Sequence, residues 1–171
     1  YDVRKHAYFA VFAGAFGHTY GCHDIWQMYA PHRTPINGPN YPWYVALDLP
    51  GALQMKYLRK LMESRPIFER VPDQSLLLSQ GGNNNHTQAT RGKDYLFAYS
   101  SQGNTIQVQT GKISGKELLV YWYNPRNGEV KEMGSIRKKP TMEFVPPTSG
   151  YGQDWVLVAD DAASKYAPPG K

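Results

Sequence analysis

Apolar and small residues fall at Val3, Ala7, Ala10, Val11, Gly14 and Ala15, close to a 3.6-residue period, which predicts a helix over residues 2–15 with one small-residue face. Asp2 offsets the positive end of that helix. Gly17-His18-Thr19-Tyr20-Gly21 breaks the pattern, and a β-branched residue and an aromatic between glycines predict a short buried strand. From Cys22 to Asp48 no period survives and Pro, Gly, Asn and aromatic residues dominate; loops this long inside compact domains usually carry function. Met55, Leu58, Leu61 and Met62 then trace a second helix, capped at Asp48 or Leu49, with Pro50 in its first turn and Pro66 as its stop. Arg59, Lys60 and Arg65 complement the dipole at its far end.

Past Pro72-Asp73 the composition changes, and Gly81-Gly82-Asn83-Asn84-Asn85 is a polar break, so a domain boundary is expected between Arg70 and His86. Beyond it, β-type runs cover 94–100, 105–109, 117–123, 141–145 and 154–159. Turn signals separate them at roughly the 8–12 residue spacing of an antiparallel sandwich or barrel. Tyr95, Tyr99, Tyr121, Trp122, Tyr123 and Trp155 lie on these runs, and alternation predicts that about half face inward, Trp155 among them. Asp94, Glu117, Asp154, Asp160 and the other acids of this half read as strand-edge and turn charges. The end, Ala167 to Lys171, is expected to fray.

The chain has 171 residues, 41% hydrophobic and 19% charged, enough for a real core. Those figures allow one compact domain, or a small domain plus a piece of another. Aromatic residues reach 13%, which suits a protein offering flat apolar faces to a ligand. Nineteen Lys and Arg against fourteen Asp and Glu give +5, but the basic residues are scattered, which argues against nucleic acid as partner. Cys22 stands alone, so neither an intrachain disulfide nor a paired-cysteine zinc site can be built. No apolar stretch approaches the ~20 residues of a membrane helix. Tyr1 is neither an initiator Met nor the start of a signal peptide, and is expected to lie inside a longer product.

The densest polar and aromatic group runs from Gly17 to Tyr29. On a strand His18 and Tyr20 share a face, and the loop after Cys22 leaves the strand at its C-terminal end, where barrel enzymes hold their sites. One reading is a sugar pocket, with His18, His23 and Gln27 bonding hydroxyls and Tyr20 and Trp26 meeting the C–H side of a ring. The other is barrel core plus satisfied loop polars, since Tyr and His are of intermediate burial in any fold. His18, His23, Asp24 and His6 match no common zinc spacing, so no metal or cofactor is assigned. Cys22 and His23 are adjacent and would point to opposite faces of a strand, which favours an inert thiol. Asp24 is the one carboxylate in the region, and a glycosidase needs two; no catalytic residue is assigned.

Tyr1-Asp2-Val3-Arg4-Lys5, Phe12 to Gly21, Ile25-Trp26-Gln27-Met28-Tyr29 and Leu47-Asp48-Leu49-Pro50-Gly51-Ala52 resemble the C-terminal end of the apiosidase-like glycoside hydrolase barrel. Ala89 to Tyr99, Gly111 to Gly115, Trp122 to Gly128 and Asp154 to Val158 resemble the β-sandwich that follows it, commonly labelled a collagen-binding domain. The resemblance implies an α/β fragment, the last helices and strand of a TIM barrel, followed by an all-β antiparallel sandwich. The divisions would be a (β/α)₈ remnant at 1–72, a linker at 73–85, the sandwich at 86–161 and a tail at 162–171. It also implies an acid and nucleophile upstream of Tyr1 and the upstream barrel as partner. The substrate would be a pectic or other plant cell-wall oligosaccharide or polysaccharide, met by His18, Tyr20, His23, Trp26 and Gln27 in an extracellular or periplasmic setting. A barrel takes ~250 residues, so residues 1–171 alone are expected to be inactive. The alternative is a non-catalytic carbohydrate-binding, collagen-binding or structural module.

Overall fold

Pro50 fills the first turn of a helix whose missing N–H would be unpaired anyway, and Leu58, Leu61 and Met62 recur on one side of it and are buried. A computed structural model describes residues 1–171. Helix α1 (Asp2–Phe12), the one-turn helices α2 (His23–Trp26) and α3 (Trp43–Ala46), and α4 (Pro50–Glu63) precede the strands. These are β1 (Val71–Pro72), β2 (Thr87–Arg91), β3 (Tyr95–Ser100), β4 (Ile106–Gln109), β5 (Glu117–Tyr123), β6 (Val130–Arg137), β7 (Thr141–Phe144) and β8 (Trp155–Asp161). Six form an antiparallel sheet in the order β1-β2-β3-β8-β5-β6, and β4 and β7 form a two-stranded sheet against it.

Strand alternation sends side chains into two separate cores. Leu96, Ala98, Leu118, Val120, Trp122, Trp155 and Leu157 face the small sheet and meet Ile106, Val108, Met142 and Phe144. Tyr95, Phe97, Tyr99, Tyr121, Tyr123, Val156 and Val158 face the other way and are covered by α1 and α4, through Ala7, Tyr8, Val11, Phe12, Leu58, Leu61 and Met62. The central strands β3, β5 and β8 of the large sheet are therefore buried on both faces. The expectation that half of its aromatic residues would be free is corrected: all six are buried, because helices far away in sequence cover the second face.

Several other expectations change with this packing. The packed face of α1 holds Arg4, Tyr8 and Phe12 as well as Ala7 and Val11, so it is an aromatic face rather than a small-residue one. Residues 17–21 form no strand: no neighbouring strand is present, and none of their backbone groups enters a hydrogen bond. β1, β2 and β6 arise where no strand was expected. β6 carries a bulge opposite Val120 and Tyr121, with Gly134 at φ +87°, a conformation that suits glycine. The last residues do not fray: Tyr166 Oη donates to Asp94 at 2.9 Å, and Gly170 lies so close to the Tyr123 ring that a Cβ would approach it to 2.8 Å.

Asp154 and Asp160 are not edge charges. They lie at the two ends of β8 on its helix-facing side, 0% and 2% exposed, and each takes an arginine side-on. Arg4 Nε and Nη2 donate to Asp154 at 2.8 and 2.7 Å, while Tyr99 Oη donates to the same carboxylate at 3.0 Å. Arg65 Nε and Nη2 donate to Asp160 at 2.9 and 2.6 Å. Burial opposes the charge on Arg4, but the Asp154 carboxylate outweighs it and holds the guanidinium above its usual value. Two points about 20 Å apart along β8 thus pin the helices to the sheet.

Residues 73–78 also belong to the sandwich. Leu76 and Leu77 enter its core, and Asp73, mostly buried, accepts from Ser75, Arg91 Nε at 2.8 Å and Lys112 Nζ at 2.8 Å. Burial pushes the Asp73 carboxyl up, but Lys112, Ser75 and Arg91 outweigh it and hold it well below the usual carboxylate range. A depressed folded pKa gives stability that is full above the unfolded value of about 3.9 and is lost as pH falls through the folded one. Asp73→Asn is expected to cost about 1–3 kcal/mol at neutral pH. Urea unfolding of both proteins should show that gap unchanged down to about pH 4 and narrowing only in stronger acid.

Candidate functional site

The stretch between α1 and α4 carries the exposed chemistry. α2 is a single turn, so His23 and Gln27, four residues apart, lie on one side of it. Gln27 clamps the backbone of Ile36: its Oε1 accepts from Ile36 N at 2.9 Å and its Nε2 donates to Ile36 O at 2.9 Å. His23 Nε2 lies 2.8 Å from Ile36 O and 2.8 Å from Gln27 Nε2, so both side chains converge on that carbonyl. These polar groups hold the loop. They are already engaged, whereas direct sugar bonding would need them free.

The ring beside them is free. Trp26 stacks on His23, with ring centroids 5.6 Å apart and planes 16° apart, and is 73% exposed. Gly21, Cys22, His23, Trp26 and Asn37 line a shallow depression there. Asp24, which the sequence offers as the lone carboxylate, is buried; its Oδ1 accepts from Asn40 N at 2.7 Å and Tyr41 N at 3.2 Å, and its Oδ2 faces Cys22 Sγ at 3.7 Å. It pins the loop 30–41 to α2. Its oxygens are occupied by donors, so it is not poised as a general acid.

His18 and Tyr20 sit apart from Trp26. His18 is exposed and lines a groove of about 290 Å³ with Val11, Phe16, Met55, Leu58 and Ile67, between α1 and α4. Tyr20 is half-buried against the start of α4, where a Cβ on Gly51 would come within 3.2 Å of its ring. Burial, and then the neighbouring Cys22, raises its phenol above the usual value. The structure therefore brings His23, Trp26 and Gln27 together and places His18 in a separate depression. Among residues that sequence reasoning did not single out, Arg4, Gln54 and Arg126 link this region to the sandwich: Arg4 Nη1 donates to Gln54 Oε1 at 2.5 Å, and Gln54 Nε2 to Arg126 O at 3.3 Å. No group of three or more His, Cys, Asp or Glu side chains is placed to hold a metal ion.

Residues 1–69, which carry this region, match the family model described as "Apiosidase-like, catalytic domain", and residues 71–160 match "Putative collagen-binding domain of a collagenase". Over residues 71–160, just more than half of its length, the chain belongs to that collagen-binding-domain family, and residues 1–69 are similar to part of an apiosidase-like catalytic domain. Two solved structures resemble this chain closely. One, described as "Glycoside hydrolase", is 43% identical with a TM-score of 0.91, covering 97% of this chain and 38% of its own. The other, a glycoside hydrolase family 5 protein from Bacteroides vulgatus ATCC 8482, is 41% identical with a TM-score of 0.92, covering 97% of this chain and 37% of its own. The chain thus spans under two fifths of either protein. No curated protein matches it.

Proposed function

We infer that this chain contributes one wall of the substrate cleft of a glycoside hydrolase acting on plant cell-wall polysaccharide of the pectic type, and the sandwich that braces that wall. The observation that carries this reading is Trp26: a large ring, mostly exposed, held flat by His23 on a turn that Asp24 and Gln27 lock in place. A locked aromatic face offers the C–H side of a pyranose or furanose a surface that loses little entropy on binding. His18, in its own depression between α1 and α4, is read as a second contact with the substrate, with Tyr20 packed behind it against the start of α4. With Asp24 committed to the loop, the acid and nucleophile come from the remainder of the longer protein, and residues 1–171 alone should release no sugar.

Trp26→Ala in the full-length enzyme is expected to lower kcat/KM on pectic oligosaccharides by about tenfold, mostly through KM, as the loss of one stacked ring implies. His18→Ala should lower it as well. Unchanged kinetics in both, with native circular dichroism, would remove this wall from the cleft. The sandwich is read as a brace rather than a sugar platform because its six strand aromatics are buried.

A further inference from the structure

Two asparagines in the chain precede glycine, Asn37 and Asn127. Such a pair can react with itself: the backbone nitrogen of the glycine, once deprotonated, attacks Cγ of the asparagine, and glycine has no Cβ to obstruct the approach. The side-chain amide leaves as ammonia, and water then opens the cyclic imide. Opening at the α-carbonyl gives isoaspartate, with the main chain rerouted through Cβ; opening at the other carbonyl gives aspartate. Water is the one co-reactant, so exposure and backbone freedom decide which pair reacts.

The two pairs differ in both respects. Gly128 N donates to Asn124 O at 2.8 Å, Asn127 Oδ1 accepts from Glu129 N at 3.0 Å, and a Cβ on Gly128 would lie 2.6 Å from Cδ1 of Tyr57. The attacking nitrogen and the side chain it would attack are thus both engaged in a packed turn between β5 and β6. Asn37 and Gly38 are exposed, neither makes a hydrogen bond within the chain, and nothing lies within 4 Å of a Cβ placed on Gly38. Their φ angles of 52° and 61° form a left-handed bend outside every helix and strand, so no ladder resists rotation about Asn37.

We propose that Asn37 is a site of spontaneous modification, converted to isoaspartate through attack by Gly38, and that the conversion loosens the loop over α2. The bond that forms joins Gly38 N to Asn37 Cγ. The bond that breaks is Cγ–Nδ2, and Nδ2 leaves as ammonia with the proton of the Gly38 amide. The loop is clamped on both sides of this point, by Gln27 on Ile36 and by Asp24 Oδ1 on Asn40 N at 2.7 Å. Isoaspartate puts one more carbon into the main chain between those clamps, which shifts one against the other. It also puts a negative charge into the depression that Asn37 lines with His23 and Trp26. The reaction uses the chain's own atoms and is independent of the carbohydrate reading.

The test is to age the whole chain for several weeks in mildly alkaline buffer at body temperature and follow both pairs by peptide mapping, with isoaspartate scored by electron-transfer fragmentation. Asn37 is expected to convert at least about tenfold faster than Asn127, whose turn must first open at a cost equivalent to that factor, about 1.4 kcal/mol. In denaturing guanidinium chloride the two rates should come within about threefold of each other, because no turn protects Asn127 there. The isoaspartyl chain, separated by ion exchange, should exchange the Ile36 and Asn40 amides several-fold faster than an Asn37→Asp chain, which carries the same charge on an ordinary backbone. Equal rates at the two pairs in the native chain overturn the proposal. So does a ratio that survives in denaturant, which would make neighbouring sequence rather than structure its cause. Exchange no faster in the isoaspartyl chain than in Asn37→Asp overturns the loosening of the loop.

Discussion

A chain cut to residues 71–171 is expected to lose native packing, although it retains every strand. Without α1 and α4 the outer face of the large sheet exposes Tyr95, Phe97, Tyr99, Tyr121, Tyr123, Val156 and Val158, all of them now buried. Each such side chain contributes about 1.5–3 kcal/mol on burial, so the loss, about 10–21 kcal/mol, is as large as the ~5–15 kcal/mol net stability of a whole domain. Arg4 and Arg65 leave with the helices and abandon Asp154 and Asp160 in that face. The truncated chain should bind a hydrophobic dye, show a collapsed near-ultraviolet spectrum and precipitate at micromolar concentration. The whole chain should unfold in one cooperative step, because a single sheet serves both cores. Dispersed amide resonances and a sharp transition for 71–171 would refute the shared core. The two family models meet between residues 69 and 71, but the packing is not divided there.

What could be read from the sequence was local. Both long helices and five strands were legible to within a few residues, since period, caps and turn signals sit next to the residues they govern. β2, Thr-Gln-Ala-Thr-Arg, and β6, with Lys131, Glu132, Gly134 and Ser135, carry too few apolar residues to signal a strand; their partners hold them. The segment 17–21 shows the converse, strand composition without a neighbour to pair with. Alternation in β3, β5 and β8 sorted side chains into two sets but could not say that both sets were buried, because the cover for the second comes from α1 and α4. The near-continuous apolar run at 118–123 was the available sign of two-sided burial. In the candidate wall, the four-residue spacing of His23 and Gln27 was visible, but not the Ile36 backbone that takes up both side chains.

Asp154→Ala is expected to destabilise the chain by about 3–5 kcal/mol, because it leaves the Arg4 guanidinium buried without its counter-charge. Asp160→Ala should cost a similar amount through Arg65, which is 0% exposed at its side chain. Neither carboxylate was separable in the sequence from the exposed acids around it, since the partners lie 150 and 95 residues away. The effects should differ in one respect. Asp154 also accepts from Tyr99, and Arg4 also reaches Gln54, so its loss unsettles α1, α4 and the sheet together. Asp160 ties down only the end of α4 and, through the Arg65 face stacked 4.7 Å from the Tyr166 ring, the C-terminal tail. Hydrogen exchange should therefore rise across both helices in Asp154→Ala and be confined to residues 60–66 and 162–171 in Asp160→Ala. Replacing each ion pair whole, as Arg4→Met with Asp154→Leu or Arg65→Met with Asp160→Leu, should recover most of the loss, since an apolar pair leaves no charge stranded. Unfolding free energies from urea titration that fell by less than about 1 kcal/mol in both single variants would mean that water reaches these arginines, and that apolar packing alone fixes the helices to the sheet.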